Sequence, residues 1–252
     1  MIIRSLASIS IHDYVVGQAI TRERPTSIAQ TLLIDKGKYW AVELDDVMKV
    51  QQDIKQLGKW TEDAAYQLKI AIETPFLAAV YADPHASNRG TTAGLISSGY
   101  NMGVTGTPLQ ITKVNVLDFI VDAGSVLDEQ IVPETGRWMI IPTWMAGMIK
   151  KSDLKDVSLT GDGVSPLRNG RIGMIDRFTL YSSNLLYHAV SGGKDEFFMM
   201  FGHKDGITFA TQMTKTENLR SVDTFADIVR GLQVYGYKTL KPEAIGTAVI
   251  YK

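Results

Sequence analysis

A mixed α+β fold is predicted from the spacing of apolar residues along the 252-residue chain. Apolar side chains recur at helical spacing within residues 47–82, 116–130 and 143–151. Short apolar runs typical of strands occur before residue 45 and after residue 165. Since a chain of this length buries roughly three quarters of its unfolded surface, it can form one large domain or two closely joined ones.

The composition argues against several functional classes. Cysteine is absent, which excludes a disulfide framework, a thiol nucleophile and a cysteine metal site. Lys and Arg total 26 against 27 Asp and Glu, so the positive excess of a dedicated DNA-binding protein is missing. The longest nearly apolar stretch, Trp138–Ile149, is about half a membrane span and contains Pro142. We therefore expect no membrane association and no dedicated DNA recognition.

The first 44 residues predict a long hairpin. Alternating side chains over Ser8–Val16 predict one strand, and the run Ala29–Ile34 predicts its return strand. Between them lies a charged tip formed by Arg22, Glu23, Arg24 and Pro25. Because a lone two-stranded hairpin is only marginally stable in water, we expect this one to lie on another surface. The segment Tyr39–Leu44 predicts a further strand.

A long helical region follows. The pair Asp45–Asp46 offers helix caps, and helical spacing continues to Gly58. The spacing resumes after Thr61, which we expect to cap a second helix, and Pro75 should kink or interrupt that helix. The result would be a bent spine of two or three helical pieces. The glycine-rich segment Pro84–Pro108 then predicts an irregular connection.

The middle of the chain predicts a helix, a turn, a strand and another helix. Asn115 is expected to cap a helix over 116–130, and Pro133–Gly136 to form a turn. Trp138–Ile141 predicts a short buried strand, followed by a helix over Thr143–Lys151.

Beyond Ser165 the chain predicts mostly β structure. The run Phe197–Phe201 indicates a strand buried on both faces, with a hydrophobic ligand pocket as the alternative. His203–Gly206 predicts a hairpin turn, and Ala248–Tyr251 predicts a final strand.

A search for catalytic or metal-binding patterns finds no constellation. The histidines have no metal-ligand spacing, and they are His12, His85, His188 and His203. Neither a phosphate-binding loop nor a serine nucleophile elbow is present. We therefore assign no catalytic, cofactor-binding or metal-binding residue. A hydrolase or ligand-binding enzyme that used the Pro84–Pro108 loop, with Asp83 or His85, stays as a minor alternative.

Four motifs in order resemble the coat proteins of tailed phages. Ile131–Pro142 resembles the v-P-x-x-g-R-w-x-v-x-P stretch of their axial domain, with matches at Pro133, Gly136, Arg137 and Pro142. The other three motifs are Leu32–Asp35 with Lys38–Trp40, then Gly170–Gly173 leading to Phe178–Asn184, and then Gly231–Gly236 continuing into Lys241–Ala244. Together they span nearly the whole chain.

This resemblance implies the major capsid fold of the Hong Kong phage type, with an E-loop hairpin, a long spine helix, a peripheral (P) domain and an axial (A) domain. The implied division is a residual N-arm over 1–7, the E-loop over 8–44, the spine and P-domain connection over 45–107, the A domain over 108–167, and the rest of the P domain over 168–252, with a possible return through the A domain. Such proteins usually carry a longer N-terminal arm, so we expect that the arm is missing or removed.

The resemblance also implies a function. The chain would be a major capsid protein, not an enzyme, which self-assembles into the icosahedral shell around the double-stranded DNA of a tailed phage. Its partners would be further copies in pentamers and hexamers, portal and scaffold or decoration proteins, and weakly bound packaged DNA. It would assemble in the host cytoplasm and reside in the virion, with the charged tip as an assembly contact. A capsid-derived nanocompartment shell is the nearest alternative.

Overall fold

The computed structural model describes residues 1–5, 9–51, 56–152 and 173–252. Its helices are α1 (Asp46–Gln51), α2 (Gln56–Val80), α3 (Val116–Glu129) and α4 (Thr143–Lys151). Its strands are β1 (Ile2–Ser5), β2 (Ile28–Thr31), β3 (Lys36–Asp45), β4 (Leu109–Gln110), β5 (Arg137–Ile141), β6 (Met174–Ile175), β7 (Phe178–Ser182), β8 (His188–Ser191), β9 (Lys194–His203), β10 (Ile207–Arg220), β11 (Ala226–Thr239) and β12 (Ile245–Tyr251). The mixed α+β class predicted from the sequence is confirmed.

A long antiparallel sheet has the strand order β10–β11–β3. Helix α2 covers one face of it: the ring of Phe76 lies 5.0 Å from that of Tyr237 and 6.2 Å from that of Phe209, measured between centroids. Leu44 and Val229 are buried in this sheet, while Tyr39 is 81% exposed. Since successive side chains of a strand point to opposite faces, the sheet is covered on one face and open on the other.

The central sheet has the order β4–β12–β9–β5–β7–β6, and β8 pairs with β9. Helices α3 and α4 pack against it and supply Phe119, Ile120 and Met145 to the largest core cluster. Strand β9 is buried from Glu196 onward apart from a partly exposed Phe197, which confirms the strand predicted over Phe197–Phe201. This sheet and its two helices form the main core.

Strands that follow one another in the chain are divided between the two sheets. Strands β6 to β9 and β12 join β5 in the central sheet, whereas β10 and β11 join β3. The turn at His203–Gly206 forms, but it is not a hairpin turn, because β9 and β10 lie in different sheets. The expectation failed because a turn signal marks a reversal of the chain and does not identify the partner of either strand.

The strand predicted over Ser8–Val16 is wrong for the residues that the structure describes. Residues 9–27 have no regular secondary structure, and the partner of β2 is instead β1 at Ile2–Ser5, paired antiparallel. The return strand is close to its predicted place, at Ile28–Thr31. Alternation alone was misleading because a strand also needs a partner to pair with, and β2 pairs with β1 instead.

The helical break predicted at Gly58 and Thr61 is also wrong. Helix α2 runs through both residues, and the Thr61 hydroxyl donates to the carbonyl of Leu57 at 2.8 Å, as it does within a helix. The assigned helix also continues through Pro75 without interruption. By contrast, Asp45 does cap: its Oδ1 accepts the N–H of Val47 at 2.8 Å.

The remaining predicted elements occur close to their expected places. These are strand β5, the helices α3 and α4, the irregular connection over 84–108 and the final strand β12. Asn115 occupies the N-cap position of α3, although its side chain makes no capping bond and instead accepts the N–H of Thr112. The motif residues Gly170–Ile172 and the boundary predicted at residue 168 lie outside the described residues. Among the described helices, none is both long and apolar enough to cross a membrane.

Candidate assembly surfaces

Residues 9–27, which we call the strap, form a long exposed loop. Every strap residue is exposed, and six of its apolar side chains are between 61% and 95% exposed. They are Ile9, Ile11, Tyr14, Val15, Val16 and Ile20. Scattered exposed apolar residues are ordinary, but six within twelve positions form a candidate contact surface.

The predicted charged tip helps the strap to hold its shape. The carboxylate of Glu23 accepts the N–H of Ser10 at 3.2 Å and lies 3.5 Å from the imidazole of His12. Hydrogen bonds from Ser10 lower the pKa of Glu23. Arg22, Arg24 and Pro25 are exposed beside it. In the described part of the chain, the polar contacts shown for residues 9–27 join one strap residue to another.

The base of the strap is fixed on the open face of the long sheet. Gly236 lies on the face opposite Tyr237, the residue that contacts α2, and a Cβ at 236 would collide with the carbonyl oxygen of Leu33. Lys238 Nζ donates to the carbonyl of Thr31 at 3.1 Å, and Leu32 is fully buried. The strap therefore leaves the body from a fixed point on that face.

The turn 221–225 between β10 and β11 is held to the start of α1 by charged groups. Arg220 donates to Asp46 at 2.8 Å and to Asp227 at 3.0 Å, and Lys49 lies 2.6 Å from Asp227. Hydrogen bonding to Arg220 lowers the pKa of Asp46, while Lys49 and Arg220 lower that of Asp227. Because these groups are well exposed, each ion pair alone contributes little to stability. Together the pairs hold the turn 221–225 against the start of α1.

Arg137, from the motif over Ile131–Pro142, is a buried hub of hydrogen bonds. The Arg137 side chain is completely buried and donates to the carbonyls of Gly124 at 3.2 Å and Pro133 at 3.0 Å, and also to Val132. It also reaches the carboxylate of Asp128 at 2.7 Å. One guanidinium thus joins the end of α3, the following turn and β5.

Of the other three motif residues, Pro133 and Gly136 lie beside that hub, and Pro142 follows the far end of β5. Gly136 has φ +84°, a conformation that glycine adopts without strain, and its backbone carbonyl accepts the N–H of Lys204. The carbonyl of Pro142 accepts the N–H groups of Met145 and Ala146, which starts α4. These four residues therefore fix the two ends of β5, and no hydrogen bond in the described part of the chain joins them to the charged tip of the strap.

The residues of the enzyme alternative have structural partners. The ring of His85 accepts the N–H of Ser87 at 3.3 Å, and Asp83 accepts the hydroxyl of Thr239 at 2.6 Å. Within the described residues there is no group of three side chains able to hold a metal ion. Asp83 and His85 are thus engaged in fixing the connection that follows α2.

The sequence did not predict two contacts that hold these surfaces in place: the crossing of the Leu33 backbone over Gly236 and the ion-pair network of Arg220. The Gly231–Gly236 motif was noticed, but nothing in it indicates that the backbone at Leu33 crosses Gly236. The network of Arg220 joins residues 174 positions apart, and no local pattern records such a pair. A glycine inside a strand is itself the usable signal, since it marks a close approach of another backbone.

Comparison with known proteins finds likeness in structure alone. No family model and no curated protein matches the chain. Among solved structures, one from Mycobacterium phage Che8 is 23% identical, with a TM-score of 0.71, and the match covers 99% of this chain and 83% of that one. The mature capsid of bacteriophage PhiM1 and the capsid of cyanophage P-SCSP1u are each 14% identical, with TM-scores of 0.64 and 0.66. Each of these matches covers 99% of this chain and 81% of the other.

The chain has the fold of a phage capsid protein. The match extends over essentially all of the chain, so the capsid fold includes the strap, the long sheet and the central sheet together. At this level of identity the agreement lies in the path of the backbone, and the side-chain contacts described above are properties of this chain.

Replacing Gly236 by Ala should loosen the base of the strap. The added Cβ meets the backbone of Leu33, so we expect a loss of about 1 to 3 kcal/mol in stability and faster hydrogen exchange at residues 30–34. Gly37→Ala is the matched control, because a Cβ there meets open space. Unchanged exchange at 30–34 in Gly236→Ala would show that the strap is not anchored at this point.

Replacing Arg137 by Met should destabilise the whole subunit. The change leaves the buried carbonyls of Gly124 and Val132 and the part-buried carbonyl of Pro133 without their donor, and we expect a loss of about 3 kcal/mol or more in the free energy of unfolding. Urea denaturation measures it. Arg230→Met, which removes an exposed arginine paired with Glu217, should cost about 1 kcal/mol or less. Equal losses in the two variants would contradict the role of Arg137 as a hub.

Proposed function

We propose that this chain is the major capsid protein of a tailed phage, which self-assembles into the icosahedral shell around the double-stranded DNA genome. The observation that carries the proposal is the likeness of essentially the whole chain to subunits of phage capsids. The four sequence motifs support the same conclusion, since they follow one another in the order in which they resemble the coat proteins of tailed phages.

We assign the parts of the fold accordingly. We assign α2 as the spine helix and the strap with β1 and β2 as the E-loop. This E-loop differs from the 8–44 expected from the sequence, because β1 pairs with β2 and β3 joins the long sheet. The long sheet β10–β11–β3 with α2 is the peripheral domain, and the central sheet with α3 and α4 is the axial domain. We thus propose an axial domain that extends past the residue 167 expected from the sequence to the end of β9, because β6 to β9 share a sheet with β5, and to which the chain returns at β12.

The strap supports this function on physical grounds. The strap has a fixed base and carries six exposed apolar side chains. No described part of its own subunit covers these side chains. Burying apolar surface releases roughly 25 cal/mol per Å², so covering the strap with a neighbouring copy would be favourable. Contacts between unlike surfaces of identical copies close into rings when the rotation between copies allows it. Repeated strap contacts can therefore build pentamers and hexamers.

The remaining partners follow from the role of a shell. A shell that fills with DNA would need a portal as an entry point, and scaffold or decoration proteins are the further partners that we propose. The net charge of −1 favours weak, salt-sensitive contact with the packaged genome, because tight phosphate binding needs a positive excess. The subunit would assemble in the host cytoplasm and remain in the virion.

An enzymatic role is disfavoured by the engagement of Asp83 and His85 in structural hydrogen bonds. A nanocompartment would use the same shell geometry, but the three solved structures described above come from phages. We therefore place the shell in a virion.

Assembly of the purified chain tests the proposal directly. Sedimentation velocity and electron microscopy, across a range of salt and protein concentrations and with or without candidate scaffold, should show closed shells of uniform size. A chain that stays monomeric under every condition, and is absent from virions, would overturn the proposed function.

Replacing the six apolar strap residues by Ser should abolish shells without unfolding the subunit. Their side chains are exposed, so the melting temperature should stay within about 2 °C of the original. The control replaces Met174 and Val190, equally exposed apolar residues on the central sheet, by Ser and should still assemble. Normal shells from the strap variant would show that the strap does not hold neighbours together.

A further inference from the structure

Part of the open face of the long sheet is bare. The backbone of Leu33 crosses this face at Gly236, and farther along β11 a depression of about 490 Å³ lies on the same face. Alternation along the strand places Gly236 and the β11 side chains of the depression on one side. The side chains around it come from three strands in register, and they are Tyr39, Ala41, Lys215, Glu217, Arg230 and Leu232. We call this depression the sheet pocket.

The sheet pocket combines apolar walls with a charged rim. Tyr39 is 81% exposed, and its cross-strand neighbour Leu232 is partly exposed. The carboxylate of Glu217 accepts a hydrogen bond from Arg230 at 2.6 Å and is also paired with Lys215. Hydrogen bonds from Lys215 and Arg230 lower the pKa of Glu217. Because two cations share one carboxylate, the rim suits a protein segment that carries one acid and not a run of phosphates.

The first arm of the strap presents a complementary edge. Ser10 and His12 both lie against the carboxylate of Glu23, so they face the interior of the strap. Where a chain is extended, alternate residues point in opposite directions, which directs Ile11 and Asp13 outwards. Ile11 is 95% exposed. Asp13 is exposed too, and no ion pair in the described part of the chain includes it.

The spacing of the two surfaces agrees. Ile11 and Asp13 are two positions apart, as are Leu232 and Arg230 on β11, so each pair spans about 6.6 Å along an extended chain. An Ile11 side chain beside Leu232 would therefore bring Asp13 beside Arg230. Ala41 lies opposite Arg230 on β3, and its small side chain leaves room for the carboxylate.

We propose that the sheet pocket receives the arm Ile9–Val16 from the strap of a second copy, with Asp13 paired to Arg230. The inference rests on the proposed function, and it names the surface of the neighbour that the strap covers. The strap of the same copy does not fill the pocket, because Ile11 and Tyr39 are both more than four fifths exposed.

The position of the strap base favours this occupant. The strap leaves its own copy on the open face of the sheet. Copies related by rotation about an axis that crosses the sheets present that face on the same side of the ring, so a strap meets the open face of its neighbour. The apolar cleft along α2, which includes Phe76, Phe209 and Gln233, lies on the opposite side of the sheet.

Charge reversal tests the pairing. Asp13→Lys and Arg230→Glu should each raise the critical concentration for shell assembly about tenfold, because each places like charges together. The double variant restores opposite charges and should return to within about threefold of the original. Asp63→Lys, the same change of charge at an exposed residue of α2, is the control and should assemble like the original. All three positions are exposed, so melting temperatures of unassembled subunits should stay within about 2 °C.

Disulfide trapping locates the strap, because the chain has no cysteine of its own. Oxidised shells that carry Ile11→Cys with Leu232→Cys should contain covalently linked copies on a non-reducing gel, since a disulfide requires close Cβ atoms. Ile11→Cys with Gln233→Cys is the matched control: residue 233 is adjacent in the chain but points to the α2 side. That pair should leave the copies unlinked.

The outcomes separate this contact from the proposed function. If shells form but Asp13→Lys assembles at the original concentration, or the double variant assembles no better than the single ones, the sheet pocket is not the receptor and the capsid function stands. Linked copies from the Gln233→Cys pair alone would place the strap on the α2 side and overturn the inference. Normal assembly of Arg230→Glu with a loss of DNA binding would assign the pocket to nucleic acid. If the original chain forms no shells in any condition, both proposals fail together.

Discussion

The exposed apolar surface of the strap is the constraint on which our account of the molecule depends. Residues 9–27 expose six apolar side chains, and no described part of their own subunit covers them. A paired base of only four residues per strand cannot stabilise such a long loop in water. The body of the subunit instead fixes where the loop begins, through the crossing at Gly236 and the bond from Lys238 to Thr31. The strap thus gains a fixed direction from its own subunit and, in our account, its cover from the next.

The interior of the subunit supplies the rigidity that this arrangement requires. Arg137 joins α3, the following turn and β5 through four acceptors, and Asn88 donates from its buried side chain to the carbonyls of Glu243 and Ile245. These links connect parts of the chain far apart in sequence, so the central sheet holds its shape before any neighbour binds. A contact surface placed on such a frame needs little ordering when copies meet, which favours repeated identical interfaces.

Much of the fold could be predicted from the sequence, and the failures have physical causes. Helix α4, strand β5 and the buried run at Phe197–Phe201 were predicted in place because local spacing and proline positions decide them. The break expected at Gly58 was wrong because one glycine costs only about 1 kcal/mol in a helix that packing stabilises. The turn at His203–Gly206 was found, but its strands separate into two sheets, since pairing partners are set by long-range packing. For the same reason the motif residues were identified without their roles: the hub of Arg137 and the anchor at Gly236 exist only in three dimensions.

The most direct test of the central claim is a reconstruction of the assembled particle at a resolution that traces the strap. We predict closed shells in which residues 9–27 of each copy lie across a neighbouring copy, with Ile11 and Val16 buried between the two. A particle in which the strap folds back on its own subunit, or in which these side chains stay exposed to solvent, would contradict the account.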